Sequence, residues 1–339
     1  MVRFRVMSLE RSIVSFSFIK SLMRYIKILA KFAISLVLIW LVFRSINLTG
    51  VLKDLSLVKI PVMLGAILVF FLQIVVLALR WTIVTGILGR RLTSTTAIRI
   101  TFISQFLNQV LPSTVGGDAV RIYLGFKEGG SLKQSFQGVI TDRAIATAML
   151  FALVLIAFPM QAAIIGSPAT RWIADIFSLG AFLGFVVFLL LAEPLHVYFG
   201  RFRIAREVAD IGLSIRKVLM DRKHSLHVLF LSLVNHLMSI FGMMLLAWAL
   251  RLDVAGATFF VLVPFVLLLS MIPISIGGWG LREGIMIAAF GYVGMSNEQS
   301  VSLSLLFGVT ITLVSLPGGV FWLFQKDHHI IGRKIPRGA

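Results

Sequence analysis

The sequence predicts an all-α polytopic membrane protein with about six full transmembrane helices plus two re-entrant broken-helix hairpins, arranged in two inverted repeats. Two observations predict this class. Of the 339 residues, 58% are hydrophobic and 14% are charged, which excludes an ordinary soluble domain. An eleven-residue phrase also occurs twice, as LPSTVGGDAVR at 111–121 and as IPISIGGWGLR at 272–282. A phrase shared by two halves of a hydrophobic chain indicates a duplicated unit.

Each phrase is expected to interrupt the helix that contains it. Proline removes a backbone donor, and two consecutive glycines cost helix stability. Backbone freed at membrane depth is tolerated only where it is buried in protein or lines a wet cavity, and paired interruptions in two halves point to the binding site of a transporter. The apolar stretches 97–138 and 256–294 are therefore predicted to be re-entrant hairpins.

Apolar runs of about 20 residues, the length that crosses a bilayer, define the full spans. They lie at roughly 29–46, 60–79, 139–158, 173–192, 227–250 and 300–324. The predicted organisation is a basic interfacial segment at 1–28, a first membrane unit at 29–158, a second unit at 173–324 and a basic tail at 325–339.

Lys and Arg set the predicted orientation. The N-terminal segment, the predicted loop at 80–99, the connection at 193–226 and the C-terminal tail are all basic, so the positive-inside rule places them in the cytoplasm. Both termini are then cytoplasmic, each hairpin returns to the side it entered from, and the two units have opposite topology. The spacing of apolar residues favours an amphipathic helix over a solvated linker within 193–226.

The composition also limits the chemistry. The formal charge of +18 is spread between apolar runs, which favours anionic lipid headgroups at the basic loops over nucleic acid as a partner. The chain has no Cys, which excludes disulfides and thiol catalysis. No metal-ligand spacing, nucleotide loop or nucleophile elbow occurs, so neither a metal nor a cofactor is expected.

Arg121 and Arg282 close the two phrases. Helix N-termini that follow the interruptions would favour an anion such as phosphate, and a guanidinium fork matches phosphate oxygens. The alternative is that both side chains lie at the membrane interface or cap helix ends. Recurrence at the same position of a repeat favours the functional interpretation.

Acidic residues near the phrases have several possible roles. Asp118 lies where Trp279 lies in the second phrase, and it could pair with Arg121, hold a coupling cation or proton, or recognise a substrate amine. Glu283 directly follows Arg282 and is a candidate partner for it. Asp142 and Arg143 are expected to contact other helices rather than each other. The candidate substrate-binding residues are Asn108, Gly116, Gly117, Asp118, Arg121, Asp142, Arg143, Gly277, Gly278, Arg282 and Glu283.

Four segments carry a family resemblance: LRW at 79–81, NQVLPSTVGGDAVR at 108–121, DR at 142–143 and PISIGGWGLREG at 273–284. Together they resemble the flippase-like membrane domain of lysylphosphatidylglycerol synthases, the multiple peptide resistance factor family. The resemblance implies a bacterial or archaeal inner-membrane protein of two pseudo-symmetric halves that moves a phospholipid between leaflets. The soluble aminoacyl-transferase domain is absent from the sequence, so synthase activity is not expected and a lipid-linked glycan is an alternative substrate.

The leading hypothesis is therefore a lipid flippase or related lipid transporter, which could work as a homodimer. One alternative is a membrane enzyme that acts on a lipid-linked substrate, with Asp118, Asp142 or Glu283 as acid or base. Another is a non-catalytic membrane partner of a lipid or glycan synthase.

Overall fold

The computed structural model describes residues 46–111, 116–164, 168–272 and 279–325, with isolated positions between 33 and 44. Every regular element in these residues is an α-helix, which confirms the predicted all-α class. The helices are α1 (Leu48–Ser56), α2 (Ile60–Ile87), α3 (Ser94–Val110), α4 (Gly116–Lys127), α5 (Leu132–Ile156), α6 (Phe158–Ile164), α7 (Pro168–Phe199), α8 (Arg203–Leu219), α9 (Ser225–Ala249), α10 (Gly256–Ser270), α11 (Leu281–Gly291) and α12 (Asn297–Leu323).

Five helices in the described residues are long and apolar enough to cross a membrane: α2, α5, the Asp175–Phe199 part of α7, α9 and α12. They correspond to five of the six predicted spans, and each helix begins or ends beyond the predicted bounds. The remaining predicted span, 29–46, and the segment 1–28 lie largely outside the described residues, as does the tail after 325.

Helices α2 and α9 pack together along their lengths and run antiparallel. The Lys59 amide at the start of α2 donates to the Ala249 carbonyl at the end of α9, 2.8 Å away. Midway along, Gln73 Nε2 donates to Ser239 Oγ over 2.6 Å. Gly242 on α9 faces the Phe70 ring on α2. Contacts between large apolar residues complete the interface. The pair forms the centre of the largest buried apolar cluster.

Both duplicated phrases separate two short helices that contact each other. Helix α3 ends at Val110 and α4 begins at Gly116, whereas α10 ends at Ser270 and α11 begins at Leu281. Within each pair the two helices are in contact, and the second helix also packs against the long helix that follows it, α5 or α12. The prediction that each phrase interrupts its helix is confirmed by these bounds.

Helix α3 makes its most extensive contacts with α12, the last helix of the chain. The two backbones approach so closely that a Cβ atom at Gly318 would overlap the Phe102 carbonyl oxygen. At the next position, a Cβ on Gly319 would lie 2.9 Å from the Phe106 ring. Only glycine fits at Gly318, because backbone atoms cannot move aside as a flexible side chain can.

Two predicted loops are shorter than expected. The bounds predicted for the basic loop, 80–99, are wrong: α2 continues to Ile87 and α3 begins at Ser94, so the loop is 88–93. Arg80 is buried inside α2 rather than exposed in a loop. Likewise, α7 continues through the start of the predicted 193–226 connection to Phe199, and the helix expected within that connection is α8.

Candidate functional site

A buried charge network joins α2, α4 and α5. Asp142 accepts hydrogen bonds from two guanidiniums, with Arg80 Nε 2.8 Å from Oδ1 and Arg121 Nη2 3.0 Å from Oδ2. Arg80 also donates to Ser232 Oγ on α9 over 3.2 Å. Asp142 is fully buried, and the two Arg residues are each 1% exposed. One carboxylate thus holds two cations where water has almost no access.

The Arg121 guanidinium lies over the Trp81 ring, with Cζ 4.2 Å from the ring centroid. Its Nε atom is buried and has no hydrogen-bond partner. A cation over an aromatic face gains about 0.5 to 2 kcal/mol, but this contact leaves the Nε donor unsatisfied. Arg121 therefore retains one buried donor, Nε, without a hydrogen-bond partner.

Asp118 and Arg143 form the next pair of the cluster. Asp118 Oδ1 accepts from Arg143 Nη2 over 3.0 Å and from Nε over 3.2 Å. Asp118 also lies in the first turn of α4, where a carboxylate is favoured by the helix dipole. The pairing of Asp118 with Arg121, considered from their spacing, is not the one formed: Asp118 bonds α5, and Arg121 bonds Asp142. The expectation that Asp142 and Arg143 contact other helices is confirmed.

Asn108 and Gly117 fix the break between α3 and α4. Asn108 Oδ1 accepts from the Gly117 amide over 2.8 Å, and Ser104 Oγ donates to the Gly117 carbonyl over 2.8 Å. A Cβ on Gly117 would overlap the Ser104 carbonyl and lie 2.5 Å from Asn108 Oδ1, while one on Gly116 would crowd Leu111. The candidate residues Asn108, Gly116 and Gly117 therefore hold two helices at backbone contact.

Arg90 reinforces this part of the structure from the short loop after α2. Its guanidinium donates to the Ser135 hydroxyl and to the Gly125 carbonyl near the end of α4. Burial lowers the pKa of Arg90 from its ordinary value, and the negative charge of Glu128 opposes this shift. The loop is thus attached to both α4 and α5.

The second phrase forms a separate cluster between α11 and α12. Arg282 Nη2 donates to Glu283 Oε1 over 2.8 Å, and Arg282 Nε donates to Ser304 Oγ over 2.9 Å. Glu283 also accepts from the Gly280 amide over 2.6 Å through Oε2 and from the Ser304 hydroxyl over 2.9 Å through Oε1. The predicted partnership of Arg282 with Glu283 is therefore present, and Ser304 completes it.

Two aromatic rings lie near the Arg282 guanidinium. Its Cζ atom lies 5.2 Å from the Trp279 ring centroid and 5.5 Å from that of Phe307. On the α12 side, a Cβ at Gly308 would lie 2.6 Å from Arg282 Nη2, so this glycine makes room for the cation. The candidates Gly277 and Gly278 lie outside the described residues.

The two clusters share a plan but differ in charge. Each places the closing Arg of a phrase beside a Trp ring and a carboxylate. The first cluster holds three guanidiniums against two carboxylates, whereas Arg282 and Glu283 balance. Within the described part of the chain, no hydrogen bond or ion pair connects the charged groups of one cluster to those of the other.

Arg80, Ser232 and Ser304 were not among the predicted site residues. Arg80 could have been found from the LRW segment, because a buried acid such as Asp142 needs cations on neighbouring helices. The two serines gave no signal among the many small polar residues of apolar helices. His236 Nε2 on α9 lies 2.9 Å from the Ala146 carbonyl oxygen on α5, so this histidine forms a hydrogen bond between the two helices. The described residues contain no cluster of three or more His, Cys, Asp or Glu that could hold a metal.

The comparisons with known proteins agree with this architecture. The family model of the lysylphosphatidylglycerol synthase TM region matches residues 28–318. The chain belongs to this family. It is also similar to a protein named UPF0104 membrane protein from Methanothermobacter thermautotrophicus, with 23% identity over an alignment of 274 residues; the match covers 72% of this chain and 79% of that protein. Membership confirms the resemblance carried by the four sequence segments and identifies a multi-pass membrane protein.

Proposed function

We propose that the chain is a lipid transporter that moves a phospholipid or lipid-linked headgroup between the leaflets of the cell membrane. The observation that carries the proposal is the surplus guanidinium of the first cluster. Three Arg residues face two Asp residues, and the buried Nε of Arg121 has no partner. A buried positive charge is costly unless an anion neutralises it, and the phosphate of a lipid headgroup would do so.

The arrangement of the helices supports the same proposal. Helices α2 and α9 are antiparallel, as expected for equivalent helices of two units with opposite topology. Each unit then continues with an interrupted pair of short helices and a long closing helix. Inverted units with interrupted helices are typical of secondary transporters, in which substrate sites lie near the repeat interface.

The state of the carboxylates favours transport over enzymatic acid or base chemistry. A general base needs a lone pair that can reach the substrate proton. Asp142 is held by two guanidiniums, Asp118 by one, and Glu283 by Arg282, Ser304 and the Gly280 amide. Each carboxylate is thus engaged by guanidiniums or other donors, so its role in the proposal is to position the Arg residues.

Reconstitution tests the proposal. The purified protein is placed in vesicles that carry headgroup-labelled phosphatidylglycerol, an aminoacylated phosphatidylglycerol or a zwitterionic lipid, and the accessible fraction of each label is followed with a membrane-impermeant quencher. We expect the wild-type protein to change the leaflet distribution of at least one anionic or phosphate-bearing lipid. Mass spectrometry of the same vesicles should show unchanged lipid masses, whereas a new lipid mass would support the enzyme alternative.

Arg121→Gln is the decisive variant. It leaves Asp142 paired with Arg80 and removes the surplus charge, so the protein should remain folded while transport falls roughly tenfold or more, since a hydrogen bond to a charged group contributes about 1.5 to 3 kcal/mol. The matched control is Arg99→Gln, which removes an exposed guanidinium paired with Glu128. The proposal fails if Arg121→Gln transports at the wild-type rate at equal abundance, or if the wild-type protein moves none of the lipids.

A further inference from the structure

A cleft of about 450 Å³ lies between the last turns of α7 and the C-terminal half of α8, away from the two Arg clusters. Its polar lining consists of Glu193 and His196 on α7 and of Arg216 and Lys217 on α8. The remaining lining is apolar and is contributed by Val197, Leu213 and Met220. A lining that combines two cationic side chains with apolar ones suits an amphiphile.

The position of the cleft in the fold indicates that the cleft lies at the bilayer surface. Helix α7 ends the candidate span Asp175–Phe199, so the cleft lies where this span ends. Large aromatic side chains are exposed at the end of α7, directly after the cleft residue Val197, namely Tyr198 and Phe199. Aromatic and aliphatic side chains at a span end, next to basic residues, are typical of the headgroup region.

The acidic groups around the cleft do not pair with all of its basic side chains. Arg216 donates to Glu193 over 2.8 Å, and both groups remain partly exposed. Asp210 of α8 lies 2.5 Å from Lys133 Nζ and 3.1 Å from Nδ1 of the cleft residue His196, so this acid pairs with those two groups and not with Arg216 or Lys217. Lys217 is exposed and has no ion-pair partner among the described residues.

We propose that this cleft is a binding site for an anionic phospholipid of the surrounding leaflet, separate from the transport site. The lipid phosphate would accept from Lys217 and Arg216, and its glycerol and upper acyl chain would lie along Val197, Leu213 and Met220. Bound lipid would hold α8 against the end of α7. Each basic side chain near an anionic surface is expected to raise the affinity for anionic lipid about fivefold. Two cations should therefore give a measurable preference for anionic over zwitterionic lipid.

Lipid titration of the purified protein tests this site. The probes are short-chain phosphatidylglycerol, short-chain phosphatidylcholine and free glycerol phosphate, and the readouts are retained lipid in native mass spectrometry and the shift in Tm. We expect phosphatidylglycerol alone to be retained and to raise Tm. The double variant Arg216→Gln with Lys217→Gln should lower its affinity roughly tenfold or more. The matched control, Arg222→Gln with Lys223→Gln, removes two cations from the following loop but none from the cleft.

Three outcomes would overturn the proposal: equal weakening in the cleft and control variants, wild-type affinity in the cleft variant, or equal protection by glycerol phosphate. If the double variant fails to fold, Lys217→Gln alone replaces it, because this side chain is exposed and forms no ion pair among the described residues. The single variant should weaken phosphatidylglycerol binding roughly fivefold. Neither Arg216 nor Lys217 belongs to the cluster assigned to transport. A negative lipid titration would therefore refute this site without refuting the proposed transport, and a negative transport assay would leave this site standing.

Discussion

Arg80 Nε and Asp142 Oδ1 lie 2.8 Å apart, and neither side chain is more than 1% exposed. This contact joins α2 to α5 across a region from which water is excluded. Asp142 uses its second oxygen for Arg121 on α4, so three helices of the first unit meet at one carboxylate. The stability of this unit consequently depends on a charge balance as well as on apolar packing.

Asp142→Asn should lower the free energy of unfolding by about 3 to 5 kcal/mol, because it leaves two buried guanidiniums without their anion. The loss can be measured by titrating the micelle-bound protein with a denaturing detergent. Glu128→Gln serves as the control and should change stability by less than about 1 kcal/mol, since its partner Arg99 is exposed. Equal losses in the two variants would contradict a buried network.

The pairing of Asp118 can be measured with double-mutant cycles. We expect Asp118→Asn and Arg143→Gln to show a coupling of about 0.5 to 1 kcal/mol, because the two groups are bonded but Arg143 is partly exposed. The cycle of Asp118→Asn with Arg121→Gln should give a smaller coupling, since these two side chains form no hydrogen bond. A larger coupling for the second cycle would show that the spacing within α4 decides the pairing after all.

Gly117→Ala should prevent stable packing of α4 on α3, because the added methyl group would overlap the Ser104 carbonyl. Folded protein recovered after gel filtration in mild detergent provides the measurement. Gly284→Ala, in α11, adds the same group where no atom lies within 4 Å and should be neutral or stabilising by up to about 1 kcal/mol. Normal recovery of Gly117→Ala would refute the close contact.

Gly308→Ala should displace the Arg282 guanidinium, since the new Cβ would lie 2.6 Å from Nη2. A long side chain can move aside, so the unfolding free energy should change by less than about 1 kcal/mol. Transport should fall severalfold if Arg282 contacts the headgroup. The control Gly65→Ala, also within a long apolar helix and with its nearest atom 4.0 Å away, should transport normally. Unchanged transport by Gly308→Ala would remove Arg282 from the pathway.

Single-Cys labelling tests the orientation of the chain. The chain contains no Cys, so Arg91→Cys, Arg222→Cys and Asp253→Cys each carry one exposed thiol. We expect an impermeant maleimide added outside intact cells to label Asp253→Cys and to label the other two only after the membrane is opened. Labelling of Arg91 and Asp253 variants from the same side would contradict opposite topology of the two units.

The sequence was sufficient for five of the six predicted spans and for the interruptions, because length, hydropathy and the Pro and Gly-Gly signals act locally. The partners of the charges depend on how the helices pack. Spacing along α4 places Asp118 near Arg121, but the geometry between α4 and α5 places Asp118 against Arg143 and Arg121 against Asp142. Arg80 was misassigned for a related reason: the positive-inside rule cannot distinguish a cytoplasmic Arg from one that is buried beside an acid.

The contact between Gly318 and Phe102 sets a condition on biogenesis. The backbone surface of α3 that packs against α12 has no partner until the last helix has been made. At about 5 to 20 residues per second, residue 318 is added roughly 10 to 40 s after residue 102. During this interval α3, which is too short and too polar to be a candidate span, must be retained by the insertion machinery or by its contacts with α2 and α4. Truncation before α12 should therefore expose α3 to quality-control proteolysis even though the helices that precede it are complete.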